Sequence, residues 1–214
     1  MKQALIFWGG WDGHDPQPGA GIVAAMLRDE GFVVRVEEGT QVLAETDPAA
    51  FDLIVPIVTM SKIETAELAA LVAAVESGTG LAGYHGGMGD SFRDAPEYQF
   101  MTGGQWVAHP GNVIDYTVEV IRGDDPIMAG LPASFPYHSE QYYLHTDPSN
   151  EVLAVTRFNG EHADWIDGVV MPVVWKRRHG KGRVFYSALG HRATEFEVPE
   201  MATILRRGML WAAR

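Results

Sequence analysis

Four short apolar runs alternate with helix-period segments through the first half of the sequence, and few folds accommodate that alternation. Gln3 to Trp8 is almost uniformly apolar and ends at Gly9-Gly10, as expected of a strand buried on both faces. After a polar, glycine-rich loop, Ile22, Val23, Met26 and Leu27 recur at helical spacing up to Gly31, which predicts the helix end. Phe32 to Val36 and Phe51 to Val58 read as the second and third strands, the latter interrupted near its end by Pro56. Leu68, Leu71, Val72 and Val75 mark one face of an alanine-rich helix that stops at Gly78, and Leu81 to Tyr84 is the fourth strand. Strands separated by crossover helices pair in parallel and carry helices on both faces. The second half is richer in strands: Tyr116–Ile121, Glu140–His145, Glu151–Arg157, Met171–Trp175 and Arg183–Leu189, before a closing helix over Pro199–Ala213. No repeat or linker divides the chain. The expectation is one α/β domain over residues 1–214, elaborated with extra strands and long loops, with its site beyond the carboxyl ends of the strands.

Composition narrows the function. The 214 residues are 46% hydrophobic and 21% charged, which is globular and excludes disorder or coiled coil as the main architecture. Lys and Arg total 16 against 28 Asp and Glu, a net charge of −12. Such a surface repels phosphate backbones and anionic lipid, and no basic cluster exceeds Lys176-Arg177-Arg178, so neither nucleic acid nor a membrane is an expected partner. The chain has no cysteine, which removes disulfides, thiolate metal sites and any cysteine nucleophile and fits a cytoplasmic setting. The apolar run at Ala4–Trp8 is too short for a signal or a span, so a soluble protein is expected.

The most informative stretch is Gly80-Leu81-Ala82-Gly83-Tyr84-His85-Gly86-Gly87-Met88. A strand, then Gly83-x-His85-x-Gly87, then a helix start is the spacing of a nucleophile elbow, with His in the place of Ser or Cys. Small flanking residues keep the strained turn free of clashes. A His at a helix N-terminus is held neutral, ready for proton abstraction, carbonyl polarisation or metal ligation. The alternative is a glycine-rich turn whose His bonds only to backbone.

The elbow and several segments in the same order resemble the trehalose-utilisation (ThuA-like) family of the class I glutamine-amidotransferase-like superfamily. The matching pieces are Trp8-Gly9-Gly10 with His14-Asp15; Gly80 to Gly87; Gly103-Gly104 through His109-Pro110; and Asp125-Pro126-Ile127 to Gly130-Leu131-Pro132. They continue through Glu140-Gln141-Tyr142, Pro172 to Trp175, and Gly180 to Tyr186 with Gly190-His191, and so cover nearly the whole chain. The resemblance implies a three-layer α/β/α fold on a mostly parallel, flavodoxin-like sheet. It also carries a departure. Amidotransferases place Cys at the elbow, where this chain has His85, so glutamine hydrolysis through a thioester is excluded.

The remaining candidates follow from position. His191 comes after the strand ending at Leu189 and resembles the amidotransferase His, its cysteine partner lost. Glu140, among Tyr137, His138, Tyr142 and Tyr143, is a carboxylate whose pKa would rise on burial; strand alternation would instead leave it facing solvent. His85, His191 and Glu140 are the expected catalytic groups. His14 and Asp15, in the loop after the first strand, and His109, presented before Pro110, are expected to contact substrate. Trp11, Trp106 and Tyr142 offer faces on which a sugar ring stacks. His85, His109 and His191 could instead hold a divalent metal such as zinc, although no short-range ligand motif such as His-x-His marks them, and metal ligation stays open beside metal-free acid/base chemistry. His138, His145, His162 and His179 are expected as ordinary surface or packed histidines.

The family resemblance implies carbohydrate catabolism, of trehalose or a related disaccharide. The residues suit a sugar or keto-sugar substrate, with acid/base chemistry leading to isomerisation, elimination or hydrolysis. Two other readings stay open: a sugar-binding or regulatory protein without turnover, and a metal-dependent hydrolase. The C-terminal helix and the aromatic strand are the surfaces on which a homo-oligomer would form.

Overall fold

The computed structural model describes residues 1–214. In chain order the elements are β1 (Gln3–Gly10), α1 (Pro16–Asp29), β2 (Val33–Glu38), α2 (Val42–Glu45), β3 (Leu53–Thr59), α3 (Thr65–Ser77), β4 (Gly80–Tyr84) and α4 (His85–Gly89). Then come α5 (Pro96–Thr102), β5 (Gly104–Ala108), β6 (Val113–Val120), β7 (Ser134–Glu140), β8 (Tyr143–Thr146), β9 (Glu151–Arg157), β10 (Val170–His179), β11 (Gly182–Ser187) and α6 (Pro199–Ala212).

Nine strands form one sheet in the order β2-β1-β3-β4-β11-β10-β9-β6-β7. The first five are mutually parallel. From β11 onward every pairing is antiparallel. The parallel part has flavodoxin-like order, its fifth strand supplied by β11 from near the end of the chain. The expected α/β fold with added strands is therefore present, and the strand pattern explains the split. β3 and β4 are buried at every position, as central parallel strands must be, whereas β7 alternates exposed and buried residues and β6 alternates exposed residues with mostly half-buried ones. α6 packs on β4 and β11, and α3 and α5 also reach β11, which places helices on both faces. Trp175 of β10, 1% exposed, sits at the seam between the two halves. Its ring lies 4.4 Å from that of Tyr186, and its Nε1–H donates to the Thr102 carbonyl at 3.0 Å.

The structure corrects several expectations. The run Glu140–His145 is not one strand: Glu140 ends β7, Gln141 and Tyr142 turn the chain, and β8 pairs with β5 in a separate two-stranded sheet. β5 is a strand that the sequence pattern does not mark. β7 contains Pro136, a residue without an N–H, which a sheet tolerates at an edge such as the one β7 occupies. The strand expected over Arg183–Leu189 ends at Ser187, so Ala188 to His191 form a loop.

Candidate functional site

The carboxyl ends of β1, β3, β4 and β11 open on the same side of the sheet. His14 follows β1 in a single 3-10 turn, Thr59 ends β3, His85 follows β4, and His191 lies beyond β11. Glu140 comes from the end of β7 in the antiparallel half and reaches the same point. Residues distant in sequence thus meet because the parallel order brings their loops together.

The elbow forms at His85. Its backbone lies at φ 44°, a left-handed conformation costly for a side-chain-bearing residue. The flanking glycines are there for space: a Cβ on Gly83 would come within 2.5 Å of Met88, and one on Gly87 within 3.1 Å of the Ile57 Cα. His85 is 1% exposed, and its ring stacks on Tyr142 with centroids 4.0 Å apart. Nδ1 lies 2.9 Å from the Ala188 carbonyl oxygen, and Nε2 lies 3.1 Å from Glu140 Oε2. A carbonyl only accepts, so Nδ1 carries the hydrogen. Burial, reinforced by the neighbouring His14, lowers the pKa of His85 to about 4 against the opposing pull of Glu140 and the Ala188 carbonyl, so the ring is neutral at physiological pH. Burial, and not the helix N-terminus expected from the sequence, is the principal cause of this shift; α4 is only five residues long.

Glu140 is the hub. Four imidazoles approach its carboxylate: His85 at 3.1 Å, His191 Nδ1 at 3.4 Å and His14 Nε2 at 3.6 Å from Oε2, and His109 Nε2 at 3.7 Å from Oε1. Burial alone pushes the carboxyl pKa up. The rings of His14, His191 and His85 more than reverse this and hold it well below the usual carboxylate range. Glu140 is therefore a fixed anion, not the poised acid that burial by itself would make. His14 is oriented by Thr59, whose Oγ1 lies 2.8 Å from its Nδ1.

The loop bearing His191 is tied down separately. The Glu195 carboxylate accepts from Tyr137 Oη at 2.5 Å, Ser139 Oγ at 3.0 Å and the backbone N–H groups of Gly190 and His191 at 3.2 and 3.1 Å. Burial first, and then the Glu195 charge, hold the Tyr137 phenol far above its ordinary pKa, so it stays a donor.

Above the cluster lies a cleft of about 110 Å³ lined by Trp11, His14, Thr59, Met60, Asp90, Arg93, Trp106, His109, Glu140 and Tyr142. Trp11 is half exposed on one wall, and Arg93 lies over the Trp106 ring on the other. A larger groove of about 320 Å³ opens beyond Arg93, which lines both spaces.

The structure thus brings together His14, His85, His109, Glu140, Tyr142, His191, Trp11 and Trp106. Asp15 stands apart: its carboxylate accepts from the Ala193 N–H at 3.2 Å and faces Arg192, which ties the loop after β1 to the loop after β11. Of the three histidines considered as metal ligands, His85 and His191 lie with His14 and Glu140, whose ligand-type atoms all fall within 4.8 Å of one another. His109 faces the other carboxylate oxygen. Sequence reasoning missed Thr59, Asp90, Arg93 and Glu195. Asp90 and Arg93 form a bidentate pair at spacing i, i+3 in a loop, which leaves no signal until the loop is placed.

A profile of the ThuA family, described as trehalose utilisation, matches residues 3–212. No curated protein matches the sequence. Among solved structures, a ThuA-like protein from Bacteroides uniformis is 20% identical, with 99% of this chain and 91% of that chain covered at a TM-score of 0.80. A cytoplasmic protein from Salmonella typhimurium is 14% identical over the full length of both chains, TM-score 0.69. A β-galactosidase from Bacillus circulans shares the fold at 16% identity over 96% of this chain but 31% of its own, TM-score 0.57.

Proposed function

Because this chain belongs to the ThuA, trehalose-utilisation family, we propose that it is a cytoplasmic enzyme of disaccharide catabolism acting on a sugar or keto-sugar. The observation that carries this reading is the buried Glu140 ringed by four imidazoles at the floor of a cleft walled by Trp11 and Trp106. Aromatic walls suit the apolar faces of a pyranose. The polar floor suits a step in which charge develops on one oxygen and a proton leaves an adjacent carbon.

Chemically, one imidazole N–H of the cluster donates to the carbonyl of a bound keto-sugar while another imidazole removes the neighbouring C–H proton, and the Glu140 anion stabilises the imidazolium so formed. The electron pair moves onto the carbonyl oxygen as an enediolate. Return of the proton at the other carbon gives an isomer; expulsion of a glycosidic oxygen from the next carbon gives elimination. His191 and His109 suit the base, since each has a buried Nδ1 without a hydrogen-bond partner. The groove beyond Arg93 suits the second ring of a disaccharide whose first ring fills the cleft.

The test is consumption of keto-trehalose and related keto-disaccharides, followed by product analysis. Glu140→Gln keeps shape and removes the anion that stabilises the imidazolium formed on proton removal, and should lower turnover by about 100-fold or more. Binding of these sugars with no product from any of them would reject the enzymatic reading in favour of a sugar-binding protein.

A further inference from the structure

We propose that His14, His85, Glu140 and His191 form a site for a single divalent transition cation of the zinc class. The proposal deepens the reading above and depends on it only for the reaction that the cation serves.

His85 Nδ1 faces only an acceptor, the Ala188 carbonyl, so Nδ1 carries a hydrogen and the nitrogen turned to Glu140 Oε2, at 3.1 Å, is Nε2, the one free to ligate. A bare Nε2 and a carboxylate oxygen in contact repel unless a proton or a cation lies between them. A shared proton would serve this one pair. It leaves the other two rings unexplained, because His191 Nδ1 and His14 Nε2 stand 3.4 and 3.6 Å from the same oxygen. Charge-assisted N–H···O⁻ bonds close to about 2.7–2.9 Å. Ligand atoms sharing a cation at about 2.1 Å instead stand about 3.4 Å apart at tetrahedral angles. The three contacts to Oε2, 3.1 to 3.6 Å, are close to the edge length of a coordination polyhedron, and the four ligand-type atoms, all within 4.8 Å of one another, converge on one point.

The surroundings agree. His191 is 5% exposed, and its Nδ1 has no hydrogen-bond partner despite pointing into the cluster. The far nitrogens of His85 and His14 are held by the Ala188 carbonyl and Thr59 Oγ1, the outer hydrogen bonds that fix ligating imidazoles. Three imidazoles and one carboxylate favour zinc, iron or manganese over magnesium or calcium, which take oxygen donors. His109 meets Oε1 on the cleft side and is not a ligand. With the other rings committed to the cation, His109 is the imidazole left to move the substrate proton, and a substrate oxygen would complete the coordination from the cleft.

Full-length protein stripped with a chelator and then dialysed against zinc, manganese or cobalt(II) tests the site through metal content and the visible spectrum of the cobalt form. Stoichiometric uptake is expected, with cobalt absorption of the intensity given by four or five ligands. His85→Asn, chosen because Asn tolerates the left-handed backbone, and His191→Asn should abolish stoichiometric binding. Thr59→Val should weaken it by about 10–100-fold. His109→Gln should keep the cation and lose turnover. Folded wild-type protein that takes up none of the three metals overturns the proposal, as does uptake undiminished in Glu140→Gln and His191→Asn. Undiminished turnover by fully chelated protein overturns the cation's part in the reaction and leaves the proposed function; a stoichiometric cation without keto-sugar turnover supports the site and overturns that function.

Discussion

A single added methyl at Gly86 would probe the cluster from behind. Its Cβ would fall 2.5 Å from the Cε1 of His14 and 2.9 Å from the Cγ2 of Thr59, so the His14 ring must move. Gly86→Ala should cost about 1–3 kcal/mol by overpacking and lower turnover more than tenfold. Calorimetry beside steady-state kinetics separates the two effects; full activity would show that the position of His14 is immaterial. Glu195 acts at one remove, through the backbone N–H groups of Gly190 and His191. Glu195→Gln keeps one acceptor and should reduce kcat with little change in KM, whereas Glu195→Asp should recover part of it. Equal loss in both variants would mark the residue as a structural support only. His85 was legible from Gly83-x-His85-x-Gly87 because a strained turn imposes its own local sequence. Thr59 and Glu195 were not, since an ordinary polar residue becomes informative only when the fold brings its partner within reach.

Among the elements, β7 shows why the antiparallel half was harder to read. Along this strand Phe135, Tyr137 and Ser139 are buried, so alternation places Glu140 on the outer face with His138. His138 does face solvent, beside Asp115. The strand ends at Glu140, however, and the turn through Gln141 and Tyr142 directs both Glu140 and Tyr142 inward. A period-two pattern cannot announce the residue at which it stops. The parallel strands were legible because full burial writes an uninterrupted apolar run. α6 supplies a stability test away from the site: a Cβ on Gly208 would fall 2.3 Å from the Phe185 ring of β11. Gly208→Ala should destabilise the fold by about 1–3 kcal/mol in urea denaturation, with KM unchanged. A neutral or stabilising result would mean that the helix slides along the sheet without penalty.

At the scale of the whole molecule, the cluster joins the two halves of the sheet. His14, His85 and His191 follow parallel strands, while Glu140 ends an antiparallel one. A cation held by all four would tie these halves together. At a hundredfold excess over Kd it contributes about 2.7 kcal/mol, which for a chain of this size raises Tm by about 5–10 °C. Thermal scans with zinc and with a chelator read this directly, and coincident curves would remove the stabilising role. No helix is long and apolar enough to cross a membrane. The larger groove beyond Arg93 predicts a dependence on substrate length: Thr65→Trp, at the groove wall, should raise KM for a keto-disaccharide and spare the corresponding monosaccharide. Equal effects on both would place the second ring elsewhere.

Proton removal beside a carbonyl is the central step of the proposed reaction, and solvent deuterium reports it without knowledge of the final product. Keto-disaccharide would be incubated with the enzyme in D₂O, recovered, and its C–H positions next to the carbonyl read by NMR. Deuterium should enter one such carbon with wild-type protein and none with Glu140→Gln or His109→Gln. Turnover without deuterium in either substrate or product, or undiminished exchange in both variants, would contradict the proposed step.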